Sequence, residues 1–283
     1  MVQTMRYFAA DAFSGRTFGG NPAGVVIIPE GNPFPDRATM IKIAAEVRYS
    51  ETAFVQQNSQ TEFTIRYFTP AAEVDLCGHA TIAAFSVLRD KGIVPTGTKC
   101  INHTLAADLE VTVGEKIMMQ MAPPAFYGEI KEIGRLEQIM KCKSGKMPVE
   151  IISTGLPDII YPVSTIEDLN SMTPNMDALS AFSAEMNVVG VHAFALSQDG
   201  YTAHVRNFAP LYDIPEESAT GTANAALTYY LYRHGIIAPG TGCTFMQGEA
   251  MERPSAIATE LKENGTVYVG GNSCIFIEGE LIL

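Results

Sequence analysis

Two short stretches, Gly78-His79-Ala80-Thr81 and Gly221-Thr222-Ala223-Asn224, each place a glycine corner ahead of a mostly apolar run of about a dozen residues, long enough for a helix. The first turn of a helix exposes unpaired N–H groups and a partial positive charge. Two such starts turned toward one cleft would therefore hold a carboxylate. On that reading Gly78, Gly221 and Thr222 wall a binding site, with glycine needed so that the backbone can approach the ligand. The other reading is that both glycines only ease tight entry into a buried helix. His79 stands at the mouth of the first helix, where an imidazole can give or take a proton near neutrality, although a lone histidine can equally be structural. Glu51 sits where an amphipathic helix pattern gives way to a strand, a junction that can aim a side chain into a cleft, and a solvated carboxylate is the alternative. Glu217, four residues before Gly221, is either a ligand-facing acceptor or a loop carboxylate in water. Asn21 ends the glycine-rich loop SGRTFGGNPA, which is either a simple turn or a loop whose backbone approaches a ligand.

The elements that must position these residues are duplicated. Arg66–Leu88 (RYFTPAAEVDLCGHATIAAFSVL) is echoed by Arg206–Leu231 (RNFAPLYDIPEESATGTANAALTYYL), and the second copy carries three more residues between its Arg-x-Phe-x-Pro and its glycine. The two apolar segments, 80–88 and 223–232, are apolar on almost every face and are expected to be buried on all sides. Covering helices are expected over ATMIKIAAEV and MDALSAFSAEM, with short strands elsewhere. Pro123-Pro124 is the best boundary, because consecutive prolines exclude both helix and central strand. The expectation is an α+β fold of two pseudo-symmetric lobes. The first spans 1–122 and is completed by a C-terminal strand at 274–283; the second spans 123–273. Each lobe would wrap mostly antiparallel strands around a buried central helix, rather than repeat βαβ units.

The chain has 283 residues, and its 19 Lys and Arg against 31 Asp and Glu give a net charge of −12. No basic stripe is present, which argues against nucleic acid or an anionic membrane surface as partner. Five cysteines without C-x-x-C spacing support neither a disulfide framework nor a zinc site. The histidines show no metal-binding spacing, and glycine-rich dinucleotide and P-loop motifs are absent. The N-terminus lacks a secretion signal, so a cytoplasmic location is expected.

Several motifs in order carry a resemblance over nearly the whole chain. They are Asp11-Ala-Phe with Gly20-Asn-Pro-Ala, Ser50-Glu-Thr-Ala-Phe, the Arg66 stretch through Cys77-Gly-His-Ala-Thr, the Arg206 stretch through Glu217-Ser-Ala-Thr-Gly-Thr-Ala, and Gln247-Gly-x-x-Met-x-Arg-Pro-Ser. The chain resembles the phenazine-biosynthesis PhzF-like isomerases. That resemblance implies the diaminopimelate epimerase-like fold, with strand barrels around the central helices, an active site in the inter-lobe cleft, and a homodimer. It implies a proton shift between carbons of a small carboxylate substrate, with neither metal nor organic cofactor. Glu51 matches the proton-moving glutamate, His79 the family histidine, and Gly78, Gly221 and Thr222 the substrate-binding helix starts. Glu217-Ser218 stands where the family usually has Asp-Pro, one methylene longer. Related epimerases use a thiol from each lobe; here Cys77 precedes Gly78 but Thr220 precedes Gly221, which demotes a two-thiol epimerase. A non-catalytic binding protein of the same fold is the alternative from another class.

Two electrostatic expectations follow. A closed, poorly solvated site should raise the pKa of Glu51. Glu51 and Glu217, if they share that site, should titrate together, one holding a proton while the other is ionised.

Overall fold

The computed structural model describes residues 4–283. The contacts of the described residues divide it into two compact units, 4–120 with 270–283 and 121–269. Unit 1 runs β1 (Thr4–Ala12), β2 (Asn21–Ile27), α1 (Arg37–Val47), β3 (Thr52–Gln57), β4 (Glu62–Phe68), β5 (Glu73–Val74), α2 (Gly78–Asp90), β6 (Thr98–His103), β7 (Asp108–Val113) and β8 (Ile117–Gln120). Unit 2 runs β9 (Ala125–Glu129), α3 (Ile133–Met140), β10 (Glu150–Ser153), β11 (Pro157–Pro162), α4 (Ile166–Ser171), α5 (Met176–Met186), β12 (Val191–Leu196), β13 (Ala203–Ala209), β14 (Ile214–Glu217), α6 (Gly221–Arg233), β15 (Gly242–Gln247), β16 (Ser255–Leu261) and β17 (Val267–Gly271). The last strand, β18 (Ser273–Ile282), returns to unit 1 and pairs antiparallel with β1.

Local sequence explains the boundaries. Asp36 caps α1 by accepting from the Thr39 amide at 2.9 Å, and Asn175 caps α5 by accepting from the Ala178 amide at 3.2 Å; each side chain satisfies an orphan first-turn donor. Both helices stop at a left-handed residue, Arg48 at φ 60° and Asn187 at φ 55°. α1 lays Met40, Ile43 and Ala44 on Met5, Val26, Phe54 and Phe68. α5 lays Leu179 and Phe182 on Ile159, Tyr161, Val191 and Phe208.

The helix at the centre of each unit is mostly buried, but Tyr232, expected inside the buried 223–232 run, is 40% exposed in the last turn of α6. In α2 every residue from His79 to Leu88 is buried, and the helix packs against β1, β2, β3, β7, β8 and β18. α6 packs against β10, β11, β12 and β16. Phe63 meets Phe85 of α2 edge-on with centroids 5.5 Å apart, and Phe194 meets Tyr230 of α6 in the same way at 5.5 Å.

Among the described residues the strand pairing is mostly antiparallel, as expected, but the expectation that βαβ units are absent is corrected. Antiparallel neighbours alternate with four parallel pairs, β2–β3, β4–β6, β11–β12 and β13–β15. Each parallel pair is joined through a helical crossover: α1, α2, α4 with α5, and α6 respectively. The physical reason is that a parallel partner needs a long return path, and both the covering and the central helices supply one. βαβ connections are therefore part of this mixed fold. Among the described residues no helix is long and apolar enough to cross a membrane.

Candidate functional site

In unit 1 four elements converge on the start of α2. The loop between β1 and β2 is pinned by Asp11, whose carboxylate accepts from the Phe18 amide at 2.7 Å. Gly20 sits at φ +62°, and a Cβ there would lie 2.1 Å from the Ala12 carbonyl oxygen, so only glycine fits. The loop delivers Asn21 to the head of β2, where its Nδ2 lies 3.4 Å from Nδ1 of His79. The backbone at Glu51 is fixed by the Gly24 amide, which donates to its carbonyl at 3.1 Å. Beneath the helix start, Asn102 donates to Tyr67 Oη at 2.9 Å, Tyr67 Oη meets Thr81 Oγ1 at 2.6 Å, and Thr81 Oγ1 donates to the Cys77 carbonyl at 2.7 Å. This buried chain holds the first turn of α2 in place. Cys77, the N-cap, makes no side-chain cap bond.

His79 is the hub. Its Nε2 lies 3.2 Å from Glu51 Oε2 and 3.4 Å from Ser50 Oγ, and its Nδ1 lies 3.4 Å from Cys77 Sγ. Burial alone would push His79 down, but its hydrogen bonds to Cys77 and Glu51 and the negative charge of Glu51 carry it well above 6.5. Glu51 corrects the sequence expectation: burial pushes it up, yet His79, with Ser50 and Cys77, outweighs burial and holds it below the ordinary carboxylate value. The pair is an imidazolium–carboxylate couple in which the Glu51 side chain is one-fifth exposed. Burial and then the charge of Glu51 keep Cys77 a thiol against the pull of His79. Glu73, four residues before Cys77, is clamped by Arg66 and Arg37. Glu51, Cys77 and His79 present oxygen, sulfur and nitrogen atoms within 4.8 Å of one another, donor types that a zinc-like ion accepts.

In unit 2 the residues expected from sequence gather at the start of α6. The side chain of Thr220 donates to the Glu217 carboxylate. Gln247 braces both residues: its Nε2 donates to the Glu217 carbonyl at 2.8 Å, and its Oε1 accepts from the Thr220 amide at 3.2 Å and from Asn224 Nδ2 at 2.8 Å. Gly248 must be glycine, at φ +81° with a Cβ position 2.6 Å from the Ser218 carbonyl oxygen. Thr222 is anchored through its carbonyl, which accepts from Thr154 Oγ1 at 2.9 Å.

Thus Asn21, Glu51, Gly78 and His79 assemble in unit 1, and Glu217, Gly221 and Thr222 in unit 2. A Cβ at Gly78 would touch only the Met119 methyl at 3.7 Å, so packing does not demand glycine there. Sequence reasoning missed Ser50 as a partner of His79. It also missed Asp158, whose carboxyl burial and then the charge of Glu217 push up to about 8; a lone acid inside the apolar strand PDIIYP was the available signal.

Residues 10–279 match the family profile described as phenazine biosynthesis-like protein. An uncharacterised isomerase of Clostridium acetobutylicum is 30% identical, with all of both chains covered. An uncharacterised isomerase of Salmonella typhimurium is 32% identical over 96% of this chain and 97% of its own. The crystal structure of a PhzF-family phenazine biosynthesis protein from Enterococcus faecalis superposes with a TM-score of 0.84 at 29% identity, covering 99% of this chain and 100% of that one. The full-length relatives place this chain among isomerases.

Proposed function

This chain belongs to the phenazine biosynthesis-like family, and from that premise we propose that it moves a proton between two carbons of a small carboxylate substrate, with Glu51 as the base and then the acid. The observation that carries the reading is the Glu51–His79 contact of 3.2 Å at the head of a buried helix. Glu51 is ionised at neutral pH and so is ready to accept a proton. In the first step a substrate C–H bond breaks and its proton becomes the O–H of Glu51, while the electron pair spreads into the conjugated carboxylate system. In the second step the same O–H returns its proton to a different carbon and the carboxylate is restored.

His79 holds the carboxylate in line through both steps. A substrate carboxylate brought beside Glu51 adds a like charge, which raises the proton affinity of the base toward the operating pH. The α2 start at Gly78, with Asn21, supplies donors for the substrate carboxylate. The room for a Cβ at Gly78 supports this role, because the fold itself does not explain the glycine. Gly221 and Thr222 are assigned further substrate contacts, and Glu217 a polar substituent of the substrate.

The test is Glu51→Gln, which keeps shape and cannot accept the proton. Turnover should fall by roughly 10²–10⁴ with an unchanged unfolding midpoint. Activity within about tenfold of the parent would remove Glu51 from the role of base.

A further inference from the structure

The start of α2 gathers a thiol that the proposed reaction leaves unused. Cys77 caps α2 and His79 stands in its first turn, while Glu51 comes from the residue before β3. Glu51 Oε2 lies 3.2 Å from His79 Nε2, and Cys77 Sγ lies 3.9 Å from the same nitrogen. Oxygen, sulfur and nitrogen all fall within 4.8 Å of one another. A four-coordinate zinc ion, bonded at about 2.0–2.1 Å to nitrogen and oxygen and about 2.3 Å to sulfur, spaces its donors roughly 3.3–3.6 Å apart. The two edges at Nε2 fall either side of that spacing, so a small movement of the sulfur closes the set.

The donors are held in place by the fold. The Gly24 amide fixes the backbone at Glu51, and Thr81 Oγ1 fixes the Cys77 carbonyl at 2.7 Å. The Cys77 thiol makes no cap bond to α2. His79 and Cys77 are 7% and 9% exposed, whereas the Glu51 side chain is 20% exposed, so an ion reaches the nitrogen and the sulfur past the carboxylate. Ser50 Oγ, 3.4 Å from Nε2, is a further oxygen beside the set. Three protein donors leave a fourth position for water or a substrate oxygen. Sulfur and imidazole together select a zinc-like ion over magnesium or calcium, which prefer all-oxygen sites. Among the described residues this is the one group of such donors; at the start of α6 the residues on either side of Gly221 are Thr220 and Thr222.

We propose that Glu51, Cys77 and His79 form a site for a single zinc-like divalent cation, which stops the reaction by tying up the carboxylate that takes the substrate proton. On binding, the metal replaces the S–H proton of Cys77 and the Nε2 proton of His79, and both protons pass to solvent. The inhibition rests on the reading above that Glu51 is the base; the binding does not.

The test titrates the full chain, freed of metal by dialysis against a chelator, with cobalt(II) as a coloured stand-in for zinc. A sulfur-to-cobalt charge-transfer band should saturate at a single ion per chain and vanish when zinc is added. Cys77→Ser should abolish the band. His79→Asn and Glu51→Gln should each weaken zinc binding by more than the roughly 10–100-fold that loss of an outer-shell partner costs. His204→Asn, a change in unit 2 where the imidazole sits between Asp199 and Glu249, should bind zinc as the parent does. No charge-transfer band, zinc affinity unchanged in both Glu51→Gln and His79→Asn, or the same loss in His204→Asn would overturn the proposal. If Cys77→Ser does not fold, the other two variants decide. Zinc should also halt deuterium incorporation from heavy water into a carboxylate substrate, and excess chelator should restore it. Incorporation that continues with the site filled would overturn the inhibition. If the parent incorporates no deuterium even without zinc, the role of Glu51 as base fails, and the cobalt band still decides the site.

Discussion

In unit 1 the guanidinium of Arg66 holds Glu73 through Nε at 2.7 Å and Nη2 at 2.8 Å; in unit 2 Arg206 holds Glu216 through the same two nitrogens, both at 2.8 Å. Glu73 and Glu216 each stand five residues before the glycine that opens the central helix. The arginines stand seven and ten residues before their glutamates. The three extra residues of the second copy therefore fall between Arg206 and Glu216, where Pro210–Tyr212 forms a short 3-10 turn. This alignment sets Val74 against Glu217, Cys77 against Thr220 and His79 against Thr222. The Gly24 amide donates to the Glu51 carbonyl and the Ile159 amide to the Gly190 carbonyl, so Gly190 occupies the place of Glu51. A side chain there is impossible, since a Cβ would lie 1.9 Å from the Phe208 carbonyl oxygen. The duplicated scaffold is kept while the ionisable side chains at the helix starts are not. Unit 1 has the carboxylate–imidazole couple, and unit 2 has the Glu217 carboxylate held by the Thr220 hydroxyl and braced by the Gln247 amide.

The comparison is sharpened first where the scaffolds look most alike. Arg206 is nearly buried and also donates to the carbonyls of Leu169, Asn170 and Met172, whereas the side chain of Arg66 is 26% exposed. Arg206→Ala should cost about 3–5 kcal/mol in denaturant unfolding, and Arg66→Ala about 1 kcal/mol. Equal costs would mean that the two clamps are energetically interchangeable.

A smaller effect should separate the two helix starts by pH. Glu51 is lowered and His79 raised by their contact, although burial works against both shifts. The contribution of Glu51 to stability is present above its unfolded value of 4.5 and is lost as pH falls through the lowered folded value. That of His79 is present below 6.5 and is lost as pH rises through its raised value. Removing the imidazole in His79→Asn should move the acid limb of the pH–rate profile upward by about one unit. Thr222→Ala, the change at the matching position, should leave that limb in place.

The smallest effect is expected at Cys77, whose counterpart is Thr220. Burial keeps its thiol protonated, so iodoacetamide should inactivate slowly, and Cys77→Ala should keep turnover within about tenfold. Rapid stoichiometric inactivation at Cys77 would bring a thiol mechanism back.

Much of this arrangement is legible in the sequence because it is local. Glycine ahead of an apolar run locates α2 and α6, and the spacing of Met40, Ile43 and Ala44 marks the buried face of α1. Strand direction is not written in a period-two pattern, which is why the parallel pairs escaped sequence reading. The downward shift of Glu51 depends on His79, twenty-eight residues away in the chain, meeting it at 3.2 Å, and no local pattern encodes that contact. Asp158 reads as a strand residue until its neighbours are known.

The central claim is that Glu51 carries a proton from one carbon to another. The most direct measurement is mass spectrometry of small carboxylic acids incubated with the protein in heavy water, comparing the parent chain with Glu51→Gln. A base that exchanges its proton with solvent between steps should leave carbon-bound deuterium in a substrate or product with the parent protein, and none above background with the variant. Carbon-bound deuterium that accumulates equally with Glu51→Gln would contradict the account.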